Sequence, residues 1–421
     1  MKYSTIAEVT DLGPFITKLI LEPEIVLAEC DLDKDTFLVN VTRKDKRTGK
    51  LLHLPKAWGS KELVPSQGER RVADAYRSDD KGTPSKDGTF ITLELEVDPR
   101  ISLGATIAYN GTFNVQVDSE YTITQIKPIW NGEQKLENMI FSELANATTQ
   151  LADSFTTGEF IHQGIRLGYA AYQPEKNSTK RPLIIWLHGA GEGGTDTMIA
   201  VIGNKVVHLV SDKIQQYFGG SYVLAPQAPT MWMDDGTGRY NTDGSSMYVE
   251  SLMNLINDYI DAHEDIDKDR VYIGGCSNGG FMTMKMILNY PETFAAAYPI
   301  CEALLDEHIL DSDIARIKHI PIWFTHATND PIVDINKHTA ATFHRLRMAG
   351  ADNVHFACFP KVIDRTERYF EKDGKPYEYN GHFSWIPALN DECILDYDNS
   401  PVCIDGKPVT LFQWLAKQRR K

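Results

Sequence analysis

The sequence predicts an α/β protein in which a doubly wound, mostly parallel sheet follows an all-β domain. Two patterns predict this arrangement. Residues 1 to about 125 contain short runs that alternate apolar and polar side chains, as half-buried strands do. Beyond about residue 157, continuous apolar runs alternate with segments of helical spacing, which is typical of a sheet covered by helices on both faces. The length of 421 residues fits two such domains.

The N-terminal domain is predicted to be an immunoglobulin-like β-sandwich over residues 1–125. Phe37, Val39 and Val41 alternate with polar neighbours, and Leu93 and Leu95 do the same in a second run. Turn-forming residues separate such runs at short intervals, which favours a sandwich. The Cys–Trp–Cys pattern of true immunoglobulin domains is absent from the sequence. A polar stretch over 126–157 predicts a linker.

The second domain, residues 158–421, contains an ordered series of strands and helices. Strands are predicted at 182–187, 222–225, 270–273, 295–300, 322–325 and 354–359. Helices are predicted at about 206–217, 247–262, 281–288 and 336–348. Such alternation predicts a parallel sheet whose strands are joined by crossover helices.

The centre of this domain is the stretch 275–279 (GCSNG), which follows a buried strand and precedes a buried helix. It fits the G-x-S-x-G motif of a nucleophile elbow, in which a tight strand-to-helix turn exposes a serine hydroxyl at a helix N-terminus. Small residues are needed beside the serine, because the turn brings neighbouring backbone very close. The motif in this context predicts Ser277 as a nucleophile.

A glycine-rich loop, 188–194 (HGAGEGG), follows the first of the long apolar strands. Backbone N–H groups near Ala190 and Gly191, with that of Asn278, are predicted to bind an oxyanion. His188 precedes the serine and is interpreted as a hydrogen-bonding residue that shapes the loop. The same loop also fits G-x-G-x-x-G, so a dinucleotide site is the alternative interpretation.

The other two members of a triad are predicted after the serine, in the order acid then histidine. Asp330 comes directly after a late strand and is the first choice for the acid, while Asp334 is the second choice or a helix cap. His382 follows the last strand and is predicted to be the base. Trp232 and Trp385 are candidate walls of a substrate pocket, or else buried structural aromatics.

From about residue 160 to 421, the sequence resembles the α/β-hydrolase superfamily, near the esterases grouped with polyhydroxybutyrate depolymerase, feruloyl esterase and prolyl oligopeptidase-type enzymes. The stretches 187–192 (LHGAGE) and 275–280 (GCSNGG) carry this resemblance. With the β-rich domain in front, and 11–15 (DLGPF) near its start, the chain is similar to bacterial esterases that have an N-terminal immunoglobulin-like domain. The resemblance implies an α/β-hydrolase catalytic domain over 158–421 and hydrolysis of carboxylic esters with short or medium acyl chains.

Ser277, His382 and Asp330 together predict a serine carboxylesterase that forms an acyl-enzyme and needs no metal or cofactor. Two alternatives stay open. A prolyl oligopeptidase-type peptidase shares the order of the triad, but its N-terminal propeller would need repeated blades that about 125 residues cannot supply. A non-catalytic binding protein on a hydrolase scaffold would have no need to keep all three residues.

The net charge of −15 argues against nucleic acid or an anionic membrane surface as a partner, so a small-molecule ester is the expected partner. The N-terminus lacks the apolar core of a signal peptide, which predicts a cytoplasmic protein, although an exported chain trimmed of its leader would look the same. The six cysteines follow no metal-ligand spacing. A homo-oligomer formed through the β domain is a further expectation.

Overall fold

A computed structural model describes residues 1–27, 30–56, 59–176 and 178–420 of the chain. These residues form two compact units, one ending at Asp153 and the other beginning at Ser154. The first unit is all-β, and the second is an α/β domain built on one large sheet, so the predicted fold class is confirmed. No helix within the described ranges has the length and apolar character needed to cross a membrane.

The first unit is a sandwich of two main sheets. Its strands, in chain order, are β1 (Lys2–Thr10), β2 (Gly13–Glu22), β3 (Phe37–Asp45), β4 (Gln67–Arg70), β5 (Val72–Ser78), β6 (Phe90–Leu95), β7 (Ile107–Tyr109), β8 (Asn114–Gln125), β9 (Ile129–Asn131), β10 (Gln134–Leu136), β11 (Ile140–Phe141) and β12 (Glu143–Thr149). One sheet has the order β12-β1-β2-β6-β5, and the other has the order β11-β8-β3-β4, with β7 paired to β8. Apolar side chains from both sheets share one core, which includes Leu19, Leu93, Val39 and Ile123.

The end of the first unit differs from the predicted boundary. Residues 126–157 are predicted to be a linker, whereas the structure places β9 to β12 there. Strand β11 pairs with β8, and β12 pairs in parallel with β1, so these residues belong to the sandwich. The sequence does not reveal β12 because this strand lies at a sheet edge and carries mostly polar, exposed side chains without alternation.

The second unit is organised around a large mixed sheet. The strands of this sheet, in chain order, are β13 (Thr156–His162), β14 (Ile165–Tyr172), β15 (Arg181–Leu187), β16 (Tyr222–Gln227), β17 (Ile266–Cys276), β18 (Ala296–Ile300), β19 (Ile322–Ala327) and β20 (Val354–Phe359). Two short strands, β21 (Cys403–Ile404) and β22 (Lys407–Pro408), form a separate two-stranded sheet. The helices of this unit are α1 (Ile199–Ile202), α2 (Asp212–Phe218), α3 (Val249–Ala262), α4 (Asn278–Asn289), α5 (Asp311–Ile317), α6 (Thr339–Met348), α7 (Trp385–Leu389) and α8 (Leu411–Leu415).

The order of strands in this sheet is β13-β14-β16-β15-β17-β18-β19-β20. The pairs β13-β14 and β14-β16 are antiparallel, and the pairs from β16 to β20 are parallel. Strands β16, β18 and β19 are buried along their whole length, as expected for a sheet covered on both faces. Because parallel strands end at the same edge, the segments after β15, β17, β19 and β20 meet at the edge where α/β proteins place their ligands.

Two predicted helices differ in detail. Residues 206–217 form a 3₁₀ helix, Val206–Val210, and then α2, because Ser211 between them has an extended backbone. The helix predicted from about Asn336 begins at Thr339. The residues before it form a turn in which Oδ1 of Asp334 accepts the backbone N–H of Asn336 at 3.0 Å.

Candidate active site

Ser277 lies in the turn between β17, which ends at Cys276, and α4, which begins at Asn278. Its backbone has φ +55° and ψ −114°, a conformation that L side chains rarely adopt. Two glycines make this turn possible, since a Cβ on Gly275 or Gly279 would collide with the carbonyl oxygen of Leu187 on β15. The spacing of the G-x-S-x-G motif is therefore a packing requirement of β15 against the turn.

Three side chains from separate segments form a hydrogen-bonded line at this point. The Ser277 hydroxyl donates to Nε2 of His382, and the two atoms are 3.0 Å apart. The other ring nitrogen of His382, Nδ1, donates to Oδ2 of Asp330 over 2.7 Å. This line requires the tautomer with its proton on Nδ1, which leaves Nε2 free to accept the serine proton.

The carboxylate of Asp330 is held at both oxygens. Oδ1 accepts the backbone N–H groups of Ile332 and Val333 at 2.8 and 3.0 Å. Oδ2 accepts from His382 and also from Nε2 of His326, the latter at 2.9 Å. Burial raises the pKa of Asp330, but the hydrogen bonds from the two histidines outweigh burial and hold that pKa well below its ordinary value. The carboxylate is therefore ionised at physiological pH.

His382 lies in a short 3₁₀ helix, Gly381–Phe383, after a long excursion of the chain that follows β20. The Asn380 side chain caps this turn, since its Oδ1 accepts the backbone N–H of His382 at 2.9 Å. Gly381 has a different role, because a Cβ there would collide with the backbone of Asn329, next to the acid. The histidine turn thus packs directly on the acid turn.

The glycine-rich loop after β15 begins with His188, which is fully buried. Its Nδ1 donates to the Gly189 carbonyl at 2.6 Å, and its Nε2 accepts the backbone N–H of Ala228 at 3.1 Å. Burial lowers the pKa of His188 to about 4, so the ring is neutral. These contacts agree with the interpretation of His188 as a residue that shapes the loop.

The same loop lies beside Ser277 because Leu187 at the end of β15 pairs with Gly275 of β17. Ala190–Glu192 form a single 3₁₀ turn, and the next helix begins only at Ile199. A dinucleotide site needs a helix that opens directly from the glycines. The loop lacks that context, since its glycines lead into a single 3₁₀ turn.

The two tryptophans predicted as pocket walls have different surroundings. Trp232 is fully buried, its ring packs against His188 with centroids 5.0 Å apart, and its backbone N–H donates to Oδ1 of Asn278 at 2.6 Å. Because no part of Trp232 is exposed, it supports the loop and offers no wall to a pocket in this structure. Trp385 is partly exposed and lies edge-on to His382, with centroids 5.8 Å apart.

Three further buried polar residues, one of which contacts Asp330, were not predicted as part of the site. They are His326 at the end of β19, Thr339 at the start of α6, and Glu302 just after β18. The sequence offers one weak signal, which is that His326 stands four residues before Asp330 across the turn that ends a strand. Thr339 and Glu302 belong to no motif, and distant parts of the chain bring them together.

Metal-type clusters and reactive thiols are the other features that a hydrolase site can contain. Within the described ranges, no group of three or more His, Cys, Asp or Glu side chains is arranged to hold a metal ion. Cys276, next to Ser277, is fully buried, and burial raises its pKa well above the ordinary value. The thiol therefore stays protonated beside Ser277.

Family comparisons match both units. Residues 2–137 match the family model of the esterase Ig-like N-terminal domain, and residues 171–369 match that of the phospholipase/carboxylesterase family. The chain belongs to the α/β-hydrolase esterases that carry an immunoglobulin-like N-terminal domain. The crystal structure of a thermostable esterase aligns over 100% of both chains, with a TM-score of 0.75 and 24% identity, which shows a shared fold.

Curated relatives of this esterase family match parts of the chain. Feruloyl esterase B of Neurospora crassa is 33% identical over 127 residues, which are 30% of this chain and 40% of that protein. Acyl-protein thioesterase 1 of Cryptococcus neoformans is 25% identical over 170 residues, which are 36% of this chain and 67% of that protein. The chain thus spans less than half the length of the feruloyl esterase.

Proposed function

We propose that the protein is a serine carboxylesterase that hydrolyses short- to medium-chain esters through an acyl-enzyme. The observation that carries this proposal is the hydrogen-bonded line from Ser277 through His382 to Asp330. In this proposal Ser277 is the nucleophile, His382 is the base, and Asp330 orients the base. The match to a carboxylesterase family supports an ester as the bond that is cleaved.

Acylation begins when Oγ of Ser277 attacks the ester carbonyl carbon and gives its proton to Nε2 of His382. The imidazolium that forms is stabilised by the Asp330 carboxylate, which accepts the Nδ1–H bond throughout. The tetrahedral intermediate collapses when His382 returns the proton to the leaving alkoxide, which departs as an alcohol. Water then attacks the acyl-serine, His382 takes one proton from it, and release of the acid restores the Ser277 hydroxyl.

The negative charge on the carbonyl oxygen is met by backbone N–H groups of Ala190, Gly191 and Asn278 in this proposal. Asn278 is the first residue of α4, so its N–H has no partner within the helix and lies at the positive end of the helix dipole. The loop of Ala190 and Gly191 lies across from it because of the pairing of β15 with β17. Fixed donors of this kind stabilise the intermediate more than the ground state.

The apolar part of the ester is proposed to lie beside Trp385. Its ring packs against Phe383 with centroids 4.7 Å apart, and 37% of Phe383 is exposed. Both aromatic residues adjoin His382, so an acyl or aryl group bound here would present its carbonyl to Ser277. This placement favours esters with short or medium apolar groups.

The test compares the native protein with Ser277→Ala on aryl esters of increasing acyl length, acetylated sugars and Pro-containing peptide amides. We expect the highest kcat/KM on short- and medium-chain aryl esters, and a loss in Ser277→Ala of about 10⁴-fold or more. Ser400→Ala replaces an exposed serine outside the site and is the matched control, which should keep native activity. A higher kcat/KM on a peptide amide than on any ester would contradict the proposal and favour a peptidase.

A fluorophosphonate probe identifies the nucleophile without any substrate. It should label the native protein and Ser400→Ala once per chain and leave Ser277→Ala unlabelled. Labelling that survives in Ser277→Ala would assign the nucleophile to another residue. A native protein that is neither labelled nor active on the panel would indicate a binding protein on a hydrolase scaffold.

We also propose that the first unit supports assembly of a homo-oligomer rather than chemistry. Residues 1–153 contain one histidine, His53, and it is exposed. The strands β5 and β12 end one sheet, and edge strands of this kind can pair with another chain. Light scattering on the intact chain tests this, and a monomer at all concentrations would contradict it.

A further inference from the structure

Asp330 accepts hydrogen bonds from two histidines through one oxygen. Oδ2 lies 2.7 Å from Nδ1 of His382 and 2.9 Å from Nε2 of His326. His382 faces the nucleophile, whereas His326 lies on β19 and is fully buried. The proposed proton transfer from Ser277 does not use His326, so its bond to the acid needs a separate explanation.

The direction of each bond around His326 follows from the chemistry of its partners. Because the Asp330 carboxylate is ionised and cannot donate, Nε2 of His326 must carry a proton. Nδ1 of the same ring lies 2.8 Å from the hydroxyl of Thr339, which donates to Nδ1 when the ring is neutral. The hydroxyl therefore selects the tautomer that directs a proton at Asp330.

Thr339 in turn faces a buried acid, Glu302. Burial raises the pKa of Glu302 to about 8, although the backbone N–H of Leu304 lowers it in part. Oε2 accepts the Leu304 N–H at 2.8 Å, while Oε1 has no partner within hydrogen-bond distance in the part of the chain that the structure describes. Near neutral pH, Glu302 is a carboxylic acid, so it places no negative charge behind His326 that would favour a second proton on the ring.

We propose that His326 is a positioning residue for the triad, which holds the Asp330 carboxylate through Nε2–H and is itself fixed by the Thr339 hydroxyl, with Glu302 as a neutral group behind Thr339. The inference rests on the proposed esterase function and on the triad assigned there. Two donors on Oδ2 spread the carboxylate charge, so Asp330 stabilises the His382 imidazolium less than it would alone. Removal of the second donor should therefore strengthen the interaction between Asp330 and the imidazolium.

Other titratable groups also face this cluster, and they come from each element packed against it. His338 is held by the Asp334 carbonyl at 2.8 Å, and burial lowers its pKa, which keeps the ring neutral near pH 7. Cys301 and Glu302, after β18, are buried acids that stay protonated near neutral pH. The carboxylates nearby are exposed or paired: Asp334, before α6, is exposed, and Asp306 forms an ion pair with Arg345. Asp330 is thus the ionised carboxylate that His326 contacts directly.

The test removes the Nε2 donor and then restores it. His326→Phe keeps a ring of similar size without a donor, and kcat should fall about tenfold to a hundredfold, the range seen when a group that orients a metal ligand is lost. The acid limb of kcat/KM should move to higher pH by at least about half a unit, since Asp330 then stabilises the imidazolium alone. His326→Gln offers an amide N–H near the position of Nε2 and should recover most of both effects.

Thr339→Val tests the second bond of the ring with an isosteric side chain. Without the hydroxyl, Nδ1 accepts no bond, and Nε2–H becomes a weaker donor to Asp330. The acid limb should therefore move in the same direction as in His326→Phe, by a smaller amount. A shift to lower pH would contradict the direction of the bonds assigned here.

His355→Phe is the matched control. His355 lies on the neighbouring strand β20, and its Nδ1 is 2.7 Å from Oδ2 of a carboxylate, Asp396, that has no contact with the triad. Its loss should lower the melting temperature and leave the acid limb where it is. All rates are expressed per reactive serine, counted with the fluorophosphonate, so that unfolded protein does not contribute.

The inference is overturned if His326→Phe keeps the native kcat per reactive serine with an unmoved acid limb. It is also overturned if His326→Gln is impaired as severely as His326→Phe. The rate of fluorophosphonate labelling gives the same comparison without an ester. If that rate falls in His326→Phe and recovers in His326→Gln while no ester is turned over, the substrate class fails and the positioning role stands.

Discussion

The two halves of the site are held in place by different means. On the nucleophile half, backbone fixes the geometry, since Gly275 and Gly279 let the elbow touch the Leu187 carbonyl on the adjacent strand. On the acid half, hydrogen bonds fix the geometry. Asp330 stands in the turn after β19 and His382 in a short 3₁₀ helix, and they are held by a hydrogen bond between their side chains and by backbone N–H groups that donate to Asp330. The nucleophile half is held by close packing of backbone, and the acid half is held by a network of hydrogen-bonded polar groups.

This difference predicts two ways of failing. A backbone contact cannot yield to an added methyl group, so substitutions at the elbow should lower the free energy of unfolding more than they lower kcat. A polar network can keep its geometry when one charged group is replaced by an isosteric amide, so substitutions at the acid should lower kcat more than they lower the free energy of unfolding. Variants of the two halves therefore separate stability from catalysis, and the predictions below follow this division.

Asp330→Asn should have the largest effect, a loss in kcat of up to about 10⁴-fold. The amide oxygen can still accept the N–H groups of Ile332 and Val333, so the turn should persist. The amide NH₂ group, however, faces both histidines as a donor and disfavours the tautomer of His382 that accepts the serine proton. Steady-state kinetics and circular dichroism check this prediction. A variant that unfolds would contradict it, because it would show that the acid half, like the nucleophile half, is needed first for the fold.

The nucleophile half could be predicted from sequence because its requirements are local. The elbow needs small residues at fixed offsets from Ser277, and those residues stand in five consecutive positions between a strand and a helix. The strand series of the α/β domain was equally visible, because β15 and β16 are continuous apolar runs. In both cases one short stretch of sequence contains the whole physical constraint.

The acid half could be predicted only in part, because its constraints are distant in sequence. Asp330 and His382 follow from the order of strands and triad members, but the buried contacts of His326 with Thr339 and of Glu302 behind them follow from no spacing. Trp232 shows the same limit, since its aromatic ring suits a pocket wall and a buried support equally well until its burial is known. The polar edge strand β12 escaped prediction for a related reason, as pairing alone defines it.

Gly279→Ala and Gly381→Ala compare the two halves with the same added methyl group. At Gly279 the methyl group would meet the backbone of Leu187 and His188 within the sheet, and we expect a loss of at least about 3 kcal/mol in the free energy of unfolding. At Gly381 it would meet both the side chain and the backbone carbonyl of Asn329. Because Asn329 lies in an exposed turn outside the sheet, it can shift more readily than a strand, so His382 should move and kcat should fall with a smaller loss of stability. Urea unfolding and kcat per reactive serine separate these outcomes, and equal stability losses would remove the distinction.

Glu302→Gln should stabilise the fold at alkaline pH. Burial raises the pKa of Glu302 to about 8, above the ordinary glutamate value of 4.5, so the folded protein holds a proton that the unfolded chain releases between these values. The native fold therefore loses stability as pH rises from about 4.5 to about 8, by up to a few kcal/mol. Glutamine does not titrate, so melting temperatures of native and variant should agree near pH 4.5 and diverge by pH 8.5. The exposed Glu307→Gln is the control, and a gap that does not grow with pH would contradict the buried neutral acid.

Asp334→Asn should have the smallest effect, although this carboxylate stands only four residues after the acid. Its Oδ1 accepts the Asn336 N–H at 3.0 Å, and its other oxygen lies 4.0 Å from Nζ of Lys337 in an exposed pair. An asparagine oxygen can accept the same N–H, and exposed ion pairs contribute little, so stability should fall by less than about 1 kcal/mol. Because the carboxylate does not contact His382, kcat should stay at the native value. A kinetic loss that approaches that of Asp330→Asn would contradict the choice of Asp330 as the acid. The hydrogen bond to Nδ1 of His382 would then be an insufficient basis for that choice.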